Sequence, residues 1–539
     1  MTALAPPPAE TAPPEPSVER RRRAPGALWA LALVVVLPAV TPIVYLLWAV
    51  IRPGGFDAGG IPLGRLAGLF GSTAVLVVSV TITTTAIGIT TAWLTTRTDI
   101  RWAGLWSTLV TLPLVIPSYV GALAMLGSSG NDGLMTQLAG AVGLPSLPVF
   151  RGFWAAWGAL TLWNFTYVHL LAVPALRRMD PSLEEAARGL GAGRWRTLRT
   201  VVLPQLRPAL LSGGLLVGLY VLSDFGAVSL LRYETFTRAI YTQFRGRLDV
   251  TPALFLSGVL VIVALGLVWG EQRSRGGAAL HSHRAPRRPE IIHLHGIRRL
   301  AAYGFLSAVV IAALVLPLMT LGWWTARGLS LGNMVDSVVP EMLRSMSVAG
   351  GAAVVTAIAA IPLAILTVRH SSRATGWLES IAWSTYSLPH LAVGLGFLVL
   401  AVRFLPSIYQ TVTLLVIAYV AMFLPQALAS AQSGLRQIGP NLEAASRSLG
   451  VGPVRTLWHV TVPLLYRSLL AGGALVFLTV MKELPATLLL RPTGFETLAV
   501  RIWSASSELF YTEASVAALV LVAISALPLY LLVVRDLHD

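Results

Sequence analysis

The 539-residue chain contains no cysteine. Disulfides, cysteine-ligated metal sites and thiol catalysis are therefore excluded. Lysine is almost absent too: Lys482 is the only one, and Met481 precedes it. A phosphate-cradling P-loop needs Gly-Lys, so the chain contains none. It binds no cofactor of its own by this reading, and any ATP it depends on must be bound by another subunit. Charge is scarce, at 12% of residues, against 55% hydrophobic residues and a mean hydropathy of +0.72. A soluble chain of this length needs more polar surface than that. No Gly-x-Ser-x-Gly elbow occurs and no cluster of His, Asp or Glu marks one membrane face, so no catalytic residue and no metal site is assigned.

Long apolar runs are what the chain has instead. About 20 apolar residues cross a bilayer as a helix. Twelve segments qualify: about 27–51, 70–95, 104–126, 153–176, 209–231, 252–270, 300–324, 343–367, 379–402, 409–432, 467–490 and 514–535. Arg20–Arg23 precede the first, as in a signal peptide, but the run is too long for a signal core. Pro113, Pro117 and Pro389 inside two segments free backbone carbonyls and predict kinks. With the N-terminus inside, 27 of the 40 basic residues fall in inner segments and 12 in outer loops. That split accounts for the net charge of +16 as membrane topology rather than a nucleic-acid footprint, and it places both termini in the cytoplasm.

The expected fold is thus all-α and transmembrane, about twelve helices in two homologous six-helix halves. Residues 1–26, rich in Pro, Ala and Glu, are expected to form a disordered tail. Residues 27–270 and 300–539 form the two transmembrane domains, and 271–299 a polar, basic cytoplasmic linker. Its two His-x-His pairs, His281/His283 and His293/His295, read better as solvated linker residues than as metal ligands.

The two halves repeat. DPSLEEAARGLGAGRWRTLRTVVLPQLRPALLSGG (180–214) aligns without a gap on GPNLEAASRSLGVGPVRTLWHVTVPLLYRSLLAGG (439–473) at an offset of 259. The register continues to Asp224 on Glu483 and Arg232 on Arg491, and an offset of 272 relates Arg97 to Arg369 and Pro117 to Pro389. Parallel halves with equal spans imply a pseudo-two-fold axis along the membrane normal. Each repeated loop lies on the cytoplasmic side between the fourth and fifth spans of its half. Asp180 can cap a helix that begins at Pro181. Leu183, Ala186, Ala187 and Leu190 form one apolar stripe, and Gly191 can end the helix in a left-handed turn. A second helical stretch, 194–203, is expected to stop near Pro204. Glu184 and Glu185 are expected to charge the rim of a surface that another protein approaches. A helix lying on lipid would not require matching Glu, Gly and Pro in both halves.

These loops resemble the signature of permease subunits of binding-protein-dependent ABC importers, Glu-Ala-Ala, three residues, Gly, and a downstream Pro. Glu185-Ala186-Ala187 with Gly191 fits that signature, and Pro204 supplies the proline. In the second copy Ala444-Ala445-Ser446 replaces Glu-Ala-Ala, the acid stands one residue earlier at Glu443, and Gly450 and Pro463 are kept. The resemblance implies the type I importer permease fold in a bacterial inner membrane. It implies loops that couple to an ATPase subunit, itself a homodimer, and an extracytoplasmic solute-binding protein as a further partner. The segments 223–241 and 481–499 resemble ferric-iron importer permeases, with thiamine permeases as close relatives. An ATP-independent twelve-helix secondary transporter is the rival class, and it has no need of paired docking loops.

Asp224 and Glu483 stand near the outer ends of the fifth and eleventh spans. Charged groups at membrane depth are costly and often functional. Two readings stay open. The carboxylates flank a central pathway and attract a hard cation, or Glu483 pairs with Lys482 or Arg491 and Asp224 with Arg232 as packing contacts. His390, beside Pro389, is a third candidate for the pathway, with no partner assigned.

Overall fold

The computed structural model describes residues 24–52, 60–246, 249–274, 291–332 and 336–529. Most of the expected tail and linker, with His281 and His283, and the end of the last span lie outside these residues. Half one comprises α1 (Gly26–Ile51), α2 (Leu63–Arg97), α3 (Ala103–Thr111), α4 (Ser118–Ser128), α5 (Leu134–Ala141), α6 (Phe153–Arg177), α7 (Pro181–Gly189), α8 (Trp195–Ser223), α9 (Gly226–Leu230), α10 (Phe236–Gly246) and α11 (Thr251–Ser274). Half two comprises α12 (Ile297–Ser330), α13 (Val339–Arg369), α14 (Arg373–Tyr386), α15 (His390–Phe404), α16 (Val412–Gln437), α17 (Pro440–Ser448), α18 (Pro453–Met481), α19 (Pro485–Leu490), α20 (Leu498–Ser507) and α21 (Tyr511–Leu529). Among the described residues nine unbroken helices are long and apolar enough to cross a membrane. Two bent pairs add a span each, and the apolar stretch Tyr511–Ala526 is shorter. The fall in offset from 272 to 259 means 13 additional residues in half one. They lie between α4 and α6, where α5 has no counterpart.

Three helices form the centre of each half: α2, α6 and α8, and likewise α13, α16 and α18. Small residues bring them together, since within lipid the hydrophobic effect gives helices no reason to associate. A Cβ on Gly88 would lie 2.6 Å from the Val168 Cβ, and one on Gly434 would lie 2.3 Å from the Ser468 Oγ. Interhelical hydrogen bonds add to this. The Thr83 and Thr161 hydroxyls are 3.0 Å apart, and buried His169 bridges Thr91 at 3.0 Å and Ser107 at 3.2 Å.

The first helix of each half crosses to the other. α1 packs on α13, α14, α15 and α16, while α12 packs on α3, α4 and α6. The Trp163 indole donates to the Ala313 carbonyl at 3.1 Å. That carbonyl lies four residues before Pro317, which has no N–H to give it. The Trp324 indole donates to the Gly127 carbonyl at 2.7 Å.

Three expectations need correction. The segments 104–126 and 379–402 are broken rather than kinked, with bends of 91° and 105°. Pro117 and Pro389 are extended and each precedes the first residue of a new helix, so the chain restarts rather than bends. The fifth and eleventh spans end at Ser223 and Met481, short of 231 and 490. Nor does the helix after Gly191 stop at Pro204. A π-turn, Leu198–Val202, precedes the proline, and α8 runs on to Ser223. The wider turn takes up the bond that proline cannot make. The same device recurs at Leu457–Thr461 before Pro463 and at Ile311–Val315 before Pro317.

Candidate functional site

Two short helices, α7 and α17, each follow a spanning helix and leave one face exposed. The Asp180 carboxylate accepts the Ser182 N–H at 2.9 Å and starts α7 at Pro181. Gly191 holds φ +83°, and the Ala192 N–H returns to the Ala187 carbonyl at 3.0 Å. Gly450 holds φ +81°, with the Val451 N–H on the Ser446 carbonyl at 3.2 Å. Only glycine adopts this left-handed turn without strain. Leu183 and Ala186 are exposed, Leu190 is 89% exposed, and Ala187 is half-buried. Leu442, Ala444, Ala445 and Leu449 are exposed in the second copy. Each half therefore offers an uncovered apolar stripe.

The acids depart from expectation. Glu185 is exposed, but Glu184 is only 7% exposed. It pairs with Arg97, which ends α2 and is 2% exposed, and lies 3.6 Å from Arg188. A carboxylate beneath a helix and a guanidinium at the end of another cannot stay unpaired out of water. Glu184 therefore anchors α7 instead of charging its rim. Glu443 makes the equivalent contact at 3.1 Å with Arg369, which ends α13 and also donates to the Ile438 carbonyl at 2.8 Å. Glu443 thus holds the place of Glu184. Ala444 stands where Glu185 does, so α17 shows no acid there.

Between the halves lies a cavity of about 290 Å³, lined by both. Asp224 and Glu483 line it, each just past the end of a long helix and each capping the next short one. The Asp224 carboxylate accepts the Ala227 and Val228 N–H groups at 3.1 and 3.2 Å and the Ser118 hydroxyl. Glu483 accepts the Ala486 N–H at 3.1 Å and the His390 Nδ1–H at 2.8 Å. The two constellations are mates, because 272 carries Ser118 onto His390 and 259 carries Asp224 onto Glu483. Each ties the restart of a broken span to the end of a long helix. The pairings with Lys482, Arg491 and Arg232 do not form. Lys482 donates across the halves to the Leu114 carbonyl at 3.1 Å, exposed by the break before Pro117. Arg491 binds the Phe495 carbonyl and Glu496, at 3.2 and 3.1 Å. Among the described residues no three His, Asp or Glu stand close enough to hold a metal ion.

The end of the linker is not solvated throughout. Ile292 pairs with Thr98: its N–H donates to the Arg97 carbonyl at 2.8 Å, and its carbonyl accepts the Asp99 N–H at 3.2 Å. Asp99 accepts the Leu294 N–H at 2.8 Å and lies 3.2 Å from the His293 Nδ1. The first of these contacts, then the second, holds the Asp99 carboxyl below the usual range against the opposing effect of partial burial.

The repeat relates Arg97 to Arg369 without assigning either a partner, and Ser118 carries no motif of its own. The two offsets show that each contact in one half has its counterpart in the other, but they do not say which residues touch.

The description "Binding-protein-dependent transport system inner membrane component" matches residues 60–269 and 356–535. The chain is 31% identical over 516 residues to the Fe(3+)-transport system permease protein FbpB 2 of Haemophilus influenzae, covering 95% of this chain and 98% of that one. It is 27% identical over 429 residues to the ferric transport system permease protein FbpB of Actinobacillus pleuropneumoniae, covering 76% of this chain and 62% of that one. A shorter similarity, 30% over 210 residues, relates 37% of the chain to 55% of the chloroplastic sulfate permease 2 of Chlamydomonas reinhardtii.

Proposed function

The chain belongs to the inner membrane components of binding-protein-dependent transport systems, and from that premise we propose that it carries ferric iron through the membrane for an ATP-driven importer. It is a transport permease subunit, multi-pass in the inner membrane, and not an enzyme. A separate ATPase dimer docks on α7 and α17. A binding protein delivers cargo at the opposite face, and both termini lie in the cytoplasm. ATP binding draws the docked helices together, and the two halves move as rigid bodies about the central cavity.

The observation that carries this reading is the matched pair of anchored helices. Glu184–Arg97 and Glu443–Arg369 fix each short helix to the cytoplasmic end of a spanning helix, so displacement of α7 or α17 is passed to α2 or α13. The uncovered stripes of leucine and alanine are the faces a partner would cover. Ferric cargo is supported by the names of the full-length relatives and by two carboxylates in the cavity wall, since a hard cation favours oxygen. Each carboxylate already has partners, so the cavity attracts and releases the ion without trapping it.

The test is uptake into vesicles holding this chain with its ATPase and binding protein. Ferric iron should accumulate with ATP, and thiamine should not compete. Thiamine uptake, or iron uptake without the ATPase, would overturn the reading.

A further inference from the structure

A second cavity, about 800 Å³, opens at the cytoplasmic end of half one. Its walls are the end of α2, α7, the start of α8 and the linker segment 291–298. Arg97, Arg188 and Arg298 line it together with His293 and His295. Glu184 is the one carboxylate in the wall, and Arg97 already holds it. Arg298 is exposed and pairs with no acid among the described residues. Trp93 and Trp195 also line it beside aliphatic residues, with Arg199 4.5 Å from the Trp195 ring centre.

The matching positions of half two differ. The repeat puts Ile365 in place of Trp93 and Val454 in place of Trp195, and the linker is spent on half one. Arg97 and Arg188 recur as Arg369 and Arg447, but the two indoles and the linker's His293, His295 and Arg298 stand at one loop only.

We propose that this cavity binds a phosphate-bearing anion and that its occupancy pins the linker segment against α7, setting the mobility of one docking helix independently of the other. Guanidinium groups match phosphate geometry with paired donors. Indole rings suit the boundary between a charged head group and an apolar body. The phosphate comes from an anionic lipid or from a soluble anion. Anion binding stands on the cavity alone, whereas the effect on docking rests on the proposed role of α7.

The experiment is hydrogen exchange on the purified full-length chain in nanodiscs of phosphatidylcholine. Phosphatidylglycerol is added to the lipid in one arm and inorganic phosphate to the buffer in the other. One addition should slow exchange in 291–296 and 181–189 several-fold and leave 440–448 unchanged. The slowing should be lost in a variant carrying Arg298→Glu and Trp195→Ala, both exposed positions, while exchange in 440–448 reports that the variant is folded. Slowing with phosphatidylglycerol identifies a lipid ligand, and slowing with inorganic phosphate a soluble one. No slowing in either arm, equal slowing in 440–448, or slowing that survives in the variant would overturn the site. Stimulation of the partner ATPase is measured in parallel. Slowed exchange with unchanged stimulation would overturn the effect on docking while anion binding stood.

Discussion

At the scale of single residues, burial decides what the acids do. Glu184 and Glu185 are neighbours in sequence, yet one is an anchor and the other a surface charge. Removing one partner of a buried ion pair costs about 3–5 kcal/mol, so Glu184→Gln should loosen α7, seen as faster exchange over 181–189 and a lower unfolding temperature. Unchanged exchange would remove the anchoring role. Glu185→Ala should move stability by less than about 0.5 kcal/mol while weakening ATPase binding. Asp224→Asn and Glu483→Gln retain an oxygen for their caps and remove the charge. Both should fold and lose iron uptake, and normal uptake at normal expression would show that cargo does not sense these groups. Asp99 gives a pH prediction. Its carboxyl is depressed in the folded chain, so the docked linker is favoured above the unfolded value of about 3.9 and released as pH falls through the lower folded value. Protection over 291–296, taken as exchange relative to the intrinsic rate at each pH, should fall on acidification, and Asp99→Asn should abolish that dependence.

At the scale of elements, the glycine turns and the π-turns set how a docking helix meets its span. An alanine in the left-handed turn at Gly191 or Gly450 costs about 1–2 kcal/mol, so Gly191→Ala and Gly450→Ala should each reduce coupled ATP hydrolysis with the chain still in the membrane. Full coupling in both variants would show that the turn is not needed. The loop helices were legible in the sequence because their signals are local: a capping acid, a proline at the first position, a glycine at the end. The apolar lengths of the spans were legible for the same reason. The breaks at Pro117 and Pro389 were not, since proline composition alone does not distinguish a kink from a restart. The passage of α8 through Pro204 was missed because a π-turn has no composition of its own. The partners of His390 and Glu184 needed contacts across more than 80 residues, which spacing within one span cannot supply.

At the scale of the whole molecule, the halves are interlocked rather than joined only by the linker, because α1 lies on half two and α12 on half one. A chain expressed as two pieces, split between residues 280 and 281, should therefore assemble and co-purify. Pieces that separate in mild detergent would show that the linker, not the exchange of first helices, holds the halves. The paired sites have also diverged: Ser118 with Asp224 on one side, His390 with Glu483 on the other, and Lys482 without a lysine opposite. Two identical copies related by symmetry would have to accept every such change twice, placing two ammonium groups or two imidazoles in the same small space. A duplicated gene read as one polypeptide escapes that doubling. Its central cavity can carry an odd number of any group, and each wall can be altered by mutation while the other keeps its older chemistry.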